Sequence, residues 1–393
     1  MTPMKFSSRA TAVTLAAGSS WELSDRAAQM AAAGEDVILL TVGDVDRDTP
    51  TVVVDAMIAS VRAGRTHYGP IAGDPRLRSV IARSSSARLG REVSQEQVVI
   101  FPGAQCALYS VIQCLAGPGD EVVLLEPSYA TYEPVVAASG ADVVRVSLRN
   151  DAGFDLNVER VASAITSRCR AVLVNSPNNP CGAVFSQDAL SRLVTLCAER
   201  GVWLVSDEVY GRLTFDAPHV SPASLPAAQD CVVVIDSLSK SHAMTGWRIG
   251  WAMGPQTLAT HLIGLAQAQL FSSPPFIQDA AVVALERETA VTEVLRRTYL
   301  RRRDVLIEGL RDCPGLRPFV PQGGMFVLVD VSGTGFSSRK FAEDLLVQER
   351  VAVIAGDAFG DSVADMVRMG LTQPEERIRE ACDRIRRFVA TTR

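Results

Sequence analysis

The stretch VVVIDSLSKSHAMTGWR, residues 232–248, joins a strand signature directly to a polar loop. Val232–Asp236 is a continuous β-branched run, the pattern of a strand covered on both faces. Serines, Lys240 and, eight positions on, Arg248 follow at once. Six other runs share the pattern: Val98–Phe101, Val122–Glu126, Val143–Val146, Ala171–Asn175, Val202–Ser206 and Ile249–Met253. Each is bounded by Gly, Pro or Ser and alternates with helical stretches, which predicts an α/β fold on a seven-stranded, mostly parallel sheet. The last run follows its predecessor after about a dozen residues, the lower limit for a parallel crossover, so an antiparallel final strand is expected.

From about Glu286 the texture changes. An amphipathic, arginine-rich stretch (Arg296, Arg297, Arg301, Arg302, Arg303) precedes strands at Met325–Val331 and Val351–Ile354 and a terminal helix from about Glu375. The arginines read as the solvated face of a helix. These features predict a smaller α+β domain over 291–393, a large domain over 49–290, and an N-terminal arm over 1–48 that completes part of the small domain.

Composition narrows the function classes. At 393 residues, with 47% hydrophobic and 21% charged residues, the chain has the profile of a globular protein and length for two domains. A net charge of −5 argues against a general nucleic-acid binder. The eight cysteines form no C-x-x-C and the four histidines no cluster, so no metal site is expected. No apolar stretch approaches the roughly 20 residues that span a bilayer. The opening MTPMKFSSRATAVTLAAG reads as an arm and not a leader, which places the protein in the cytoplasm as an expectation.

In open α/β sheets ligands sit beyond the carboxyl ends of the strands, and four of these ends are polar. Val98–Phe101 runs into PGAQCALY, where Gly103 allows a tight turn and a helix N-terminus suits a phosphate. Ala171–Asn175 runs into NSPNNPCG, a rigid turn in which Asn179–Pro180 is a candidate cis peptide. Val202–Ser206 ends in Asp207-Glu208-Val209-Tyr210, a carboxylate and a phenol three residues apart. Val232–Asp236 ends at Lys240, one of only three lysines beside 36 arginines. Arginine stays charged, whereas a desolvated lysine can become a nucleophile or form a Schiff base. Together these ends fit pyridoxal phosphate: lysine for the imine, aspartate for the pyridinium nitrogen, and a helix N-terminus with serine and arginine for the phosphate.

The order PGAQ…NSPNNP…DEVY…SLSK-x7-R…VRMG resembles the fold-type-I aminotransferases of the aspartate aminotransferase class, from about Trp21 to Arg386. The resemblance implies a pyridoxal-phosphate-dependent homodimer with shared active sites and a ping-pong mechanism. It makes Lys240 the Schiff-base lysine and the base for the α-proton, and Asp207 the partner of the ring nitrogen. Tyr210 and Asn179 would bond the ring's phenolic oxygen, and Tyr129 would stack on the ring. Gly103, Ala104, Gln105, Ser237, Ser239 and Arg248 would hold the phosphate, joined by Tyr68 of the neighbouring subunit. Arg368 would clamp the substrate α-carboxylate, with Gly43 beside it and Asn179 in reach.

Within the family, PGAQCALY, FDAPHVSPASLP (residues 215–226) and the lysine loop resemble arginine–pyruvate transaminases, implying L-arginine as donor and pyruvate as acceptor. A guanidinium calls for a carboxylate, and Glu22, Asp44 and Asp46 are the candidates near the arm. One departure matters. The family usually reads Gly-(Asp/Glu)-Pro-Asp-Phe-Asp-Thr-Pro, whereas this chain has Val45 and Arg47 in place of the proline and the aromatic, which opens an acidic substrate as well. The alternative function is a same-fold enzyme of different outcome: a carbon–sulfur lyase, or an arginine oxidase or cyclase.

Overall fold

The structure, a computed structural model, describes residues 4–18, 21–149, 153–287 and 290–391; residues 1–3 of the expected arm and residues 288–289 at the expected domain boundary lie outside these. The large sheet contains β1 (Val98–Phe101), β2 (Glu121–Glu126), β3 (Asp142–Ser147), β4 (Cys169–Asn175), β5 (Trp203–Asp207), β6 (Val232–Ser237) and β7 (Gly250–Met253). Their spatial order is β1-β7-β6-β5-β4-β2-β3. Neighbours run parallel except at β7, which is antiparallel to both β1 and β6, as its short connection predicts.

Continuous apolar runs form these strands because both sheet faces are covered. On β4, Val172 and Val174 enter one core layer and Ala171 and Leu173 the other. On β6 the same alternation sends Val232 and Val234 one way, Val233 and Ile235 the other. Edge strand β3 instead exposes Asp142 and Arg145, charges that discourage pairing with another chain.

The small sheet contains β8 (Arg317–Pro318), β9 (Phe326–Asp330), β10 (Ile354–Ala355) and β11 (Met366–Gly370), all antiparallel in the order β10-β11-β9-β8. The run expected as one strand over Val351–Ile354 is split. Val351–Ala352 pairs in parallel with Ile38–Leu39, and Ile354–Ala355 turns to join β11. Ile38 and Leu40 thereby enter the same core as Val327, Val329 and Met369. The segment continues along β11, where the Gly370 amide donates to the Leu40 carbonyl at 2.7 Å, and it delivers Gly43 to the cleft.

The arm divides: helix Ser8–Ala17 lies against helix Tyr132–Ser139, where Arg9 Nη1 donates to the Ala138 carbonyl at 3.3 Å, whereas Ile38 and Leu40 join the core of the small sheet. One further expectation is corrected: the arginine run is only partly a solvated face. In helix Val291–Leu310 the buried stripe is Leu295, Tyr299, Arg302, Leu306 and Leu310, so helical spacing puts Arg302 on the inner side. Arg302 meets Asp46 in a two-pronged pair at 2.8 and 2.6 Å, and buried Arg303 pairs with Asp216. Arg296 and Arg297 stay outside with Glu293, and Arg301 with Glu375.

Candidate active site

The carboxyl ends of β4, β5 and β6 converge on one cleft. Asn175 and Asp207 stand opposite each other in register. The Asn175 amide donates to the Asp207 carbonyl at 3.0 Å and its oxygen accepts from the Asn179 amide at 2.7 Å, which ties the two turns together. The Asn179–Pro180 bond is cis, as expected from the sequence; Glu126–Pro127 and Ser176–Pro177 are cis as well.

Asp207 is buried and accepts from the Tyr132 hydroxyl at 2.6 Å and the Val209 amide at 3.2 Å. Burial pushes its carboxyl up to about 6, against those two donors and with the help of Asp236 and Glu208. A carboxylate so placed favours a cationic partner. Tyr132 was not anticipated from sequence; it opens helix Tyr132–Ser139, and its ring meets that of Tyr129, just ahead of the helix, edge-on with centroids 5.7 Å apart. Tyr210 is buried, its phenol driven up by desolvation, with Asn179 in hydrogen-bonding contact.

Arg368, on β11, is 1% exposed and pairs with no carboxylate among the described residues. Nη1 donates to Asn179 Oδ1 at 3.0 Å, Nη2 bonds the Thr41 carbonyl, and Nε has no partner among the described residues. Its guanidinium lies between Phe326 and Phe359, at 4.0 and 4.8 Å from the ring centroids. Burial lowers its pKa to about 10. A desolvated, planar cation with an idle N–H is a receptor for a carboxylate. The two phenylalanines carry no sequence signal apart from ordinary core positions.

Lys240 bonds the Gly43 carbonyl through Nζ. Burial brings its pKa down to about 8; Asp44 opposes the shift and Arg368 and Arg248 add to it. Nearby, helix Ala104–Leu115 begins at Gly103 with φ +86 and no side-chain cap. A Cβ on Gly103 would sit 2.4 Å from Arg248 Nη2, so the glycine opens a cradle between uncapped amides and a guanidinium. Ser237 and Ser239 border the same space. The donor set fits a phosphate, and the cleft as a whole fits pyridoxal phosphate.

Ala104, Gln105, Tyr129, Asn179, Asp207, Tyr210, Ser237, Ser239, Lys240, Arg248, Gly43 and Arg368 all line this one cleft, as do Trp21 and Phe326. Four expected residues stand apart from this lining. Tyr68 is 84% exposed and edge-stacked on Phe271. Glu22 lines a separate groove with Arg26, Arg339 and Glu343. Asp46 is engaged by Arg302, while Asp44 accepts from Thr245 at 2.6 Å.

Comparison with known proteins agrees with this geometry. Residues 35–385 match the family model described as aminotransferase class I and II. The chain is 51% identical to arginine–pyruvate transaminase AruH of Pseudomonas aeruginosa, over 93% of each chain. It is 36% identical to an aspartate/prephenate aminotransferase of Thermus thermophilus, over 93% of this chain and 94% of that one. A solved aspartate aminotransferase of Thermus thermophilus, a single mutant, superposes with a TM-score of 0.92 at 35% identity, covering 98% of this chain and 100% of that chain.

Proposed function

This chain belongs to the class I and II aminotransferases, a pyridoxal-phosphate-dependent family, and is a transaminase; from that premise we propose that it moves the α-amino group of L-arginine to pyruvate at the cleft of Lys240. The observation that carries the reaction is the pairing, in one cleft, of a lysine whose amine burial frees at about pH 8 with a buried arginine that meets no carboxylate among the described residues. The 51% identity to an arginine–pyruvate transaminase supports the donor and acceptor. The lining speaks against an acidic donor: besides Lys240, the cations there are Arg248 and Arg368, which the phosphate and the α-carboxylate require, and its one carboxylate is Asp207. An acidic side chain would find no further cation among the described lining residues, and Arg47 is not one of them.

In this reading Gly103, Ala104, Gln105, Ser237, Ser239 and Arg248 hold the phosphate, and Tyr129 covers the ring. When bound, pyridoxal phosphate supplies an aldehyde for the amino group and a ring that accepts electrons released at the substrate Cα. Arg368 clamps the α-carboxylate through paired N–H bonds and turns the Cα–H toward Lys240, a contact worth about 1.5–3 kcal/mol. Lys240 Nζ, neutral above about pH 8, takes the Cα proton and later returns one. Asp207, held by Tyr132, keeps the proton on the ring nitrogen, while Tyr210 and Asn179 bond the ring oxygen. The enzyme works as a homodimer in which Tyr68 of each subunit completes the other's phosphate site. The division into 1–48, 49–290 and 291–393 belongs to the same proposal.

Steady-state kinetics with pyruvate and a panel of donors test the substrate. Arginine is expected to exceed aspartate in kcat/KM by about 10²-fold or more. Preference for aspartate would leave the transaminase and overturn the donor.

A further inference from the structure

Next to Asp207 lies a group of charges, built around the buried carboxylates Glu208 and Asp236, that the reaction described above does not use. Glu208, 1% exposed, follows Asp207 directly. Its Oε1 accepts from Ser221 Oγ at 2.5 Å and from Ser206 Oγ at 3.2 Å. Its Oε2 lies 3.1 Å from His219 Nε2 and 3.4 Å from Arg88 Nη1. Arg88, at the end of helix Pro75–Leu89, also approaches Asp236 to 3.9 Å, one residue before Ser237. Arg212 adds a second cation toward Asp236.

Burying a carboxylate is costly, and apolar side chains of similar volume commonly support a fold as well as a buried ion pair does. The location of this one is therefore informative. Glu208 stands between Asp207 and Tyr210, the two groups that face the ring in the proposed mechanism, and it ties their turn to a helix and to the segment around His219. We propose that Glu208 is a positioning residue of the transamination: through Arg88, His219 and Ser221 it fixes the Asp207–Tyr210 turn, and its charge helps to hold the proton shared by Asp207 and the ring nitrogen. This rests on the function proposed above.

The sign follows from the charges facing the pair. Glu208 and Asp236 both favour a proton at Asp207, whereas Tyr132 and the Val209 amide oppose it. Arg88 and Arg212 face the two outer carboxylates, so they moderate that effect without reversing it. Burial would raise Glu208, but His219, Arg88 and Ser221 outweigh it and hold the group at about 2, so it stays charged at working pH.

The test is Glu208→Gln in the holoenzyme, loaded with cofactor carrying 15N at the ring nitrogen. Relative to wild type, kcat is expected to fall about 10-fold or more, with the KM for the amino donor within about 2-fold. The ring-nitrogen signal is expected to move toward its unprotonated position. Wild-type kcat with an unmoved signal overturns the proposal, and so does a lowered Tm with kcat and signal unchanged. Should Glu208→Gln fail to fold, His219 decides. His219→Ala is expected to lower kcat about 10-fold, and His219→Gln, whose amide still reaches Glu208, to restore most of it. His219→Ala with wild-type kcat and signal overturns the proposal. A wild-type protein that binds no cofactor would contradict the transaminase reading instead, so the two failures are distinct.

Discussion

Lys240 sits where burial and two arginines outweigh the pull of Asp44, and this sets a pH dependence. A depressed amine pKa means the neutral nucleophile accumulates as pH rises through about 8 and not through the usual 10.5. The rate at which cofactor-free protein takes up pyridoxal phosphate should therefore rise with pH through a midpoint at about 8; a midpoint near 10.5 would contradict the assignment. Arg368→Leu separates binding from folding. It is expected to raise the KM for the amino donor about 10–150-fold, yet to change the Tm little, because relief of a buried cation without a carboxylate offsets its lost bonds to Asn179 and Thr41. Kinetics and thermal melting on the same preparation decide it. Sequence exposed Lys240 because its residue type is rare in this chain. It did not expose Tyr132, whose hydroxyl meets Asp207 across 75 positions; such a contact leaves no local pattern.

Helix Ala104–Leu115 shows how an element makes a site. Its first turn depends on Gly103 in a left-handed conformation, pressed against Arg248. Gly103→Ala adds strain of about 1–3 kcal/mol and fills the cradle, so cofactor affinity is expected to fall about 10-fold or more, read by fluorescence titration. Unchanged affinity would move the phosphate elsewhere. Strands were the most legible elements, because a sheet covered on both faces writes itself as β-branched runs. The misreadings arose where a distant partner overrides local pattern. Val351–Ala352 is separated from Ile354–Ala355 by its pairing with Ile38–Leu39. Arg302 takes a core position because Asp46, 256 residues away, neutralises it.

For the whole molecule, twelve expected residues meet in one cleft while Tyr68 stays at the surface, 84% exposed beside Phe271 at 44%. No helix among the described residues is long and apolar enough to cross a membrane. An aromatic pair so exposed fits a subunit interface, and the proposed shared site makes a direct prediction. Lys240→Ala and Tyr68→Ala subunits, each impaired alone, should on mixing and exchange recover up to about a quarter of wild-type activity, since half of the dimers then hold one intact site. Absence of recovery, with exchange verified, would place Tyr68 outside the partner's site. The order of strand ends and motifs was readable in the chain; the ion pair of Asp46, the groove of Glu22 and the packing of helix Ser8–Ala17 required the folded structure. The most direct test of the central claim is an anaerobic half-reaction of cofactor-loaded protein with L-arginine and no oxoacid, followed by absorbance and mass spectrometry. Conversion of the cofactor to its amine form with one equivalent of 5-guanidino-2-oxopentanoate is the expected result. A cofactor that stays in its aldehyde state until oxygen is admitted would contradict it.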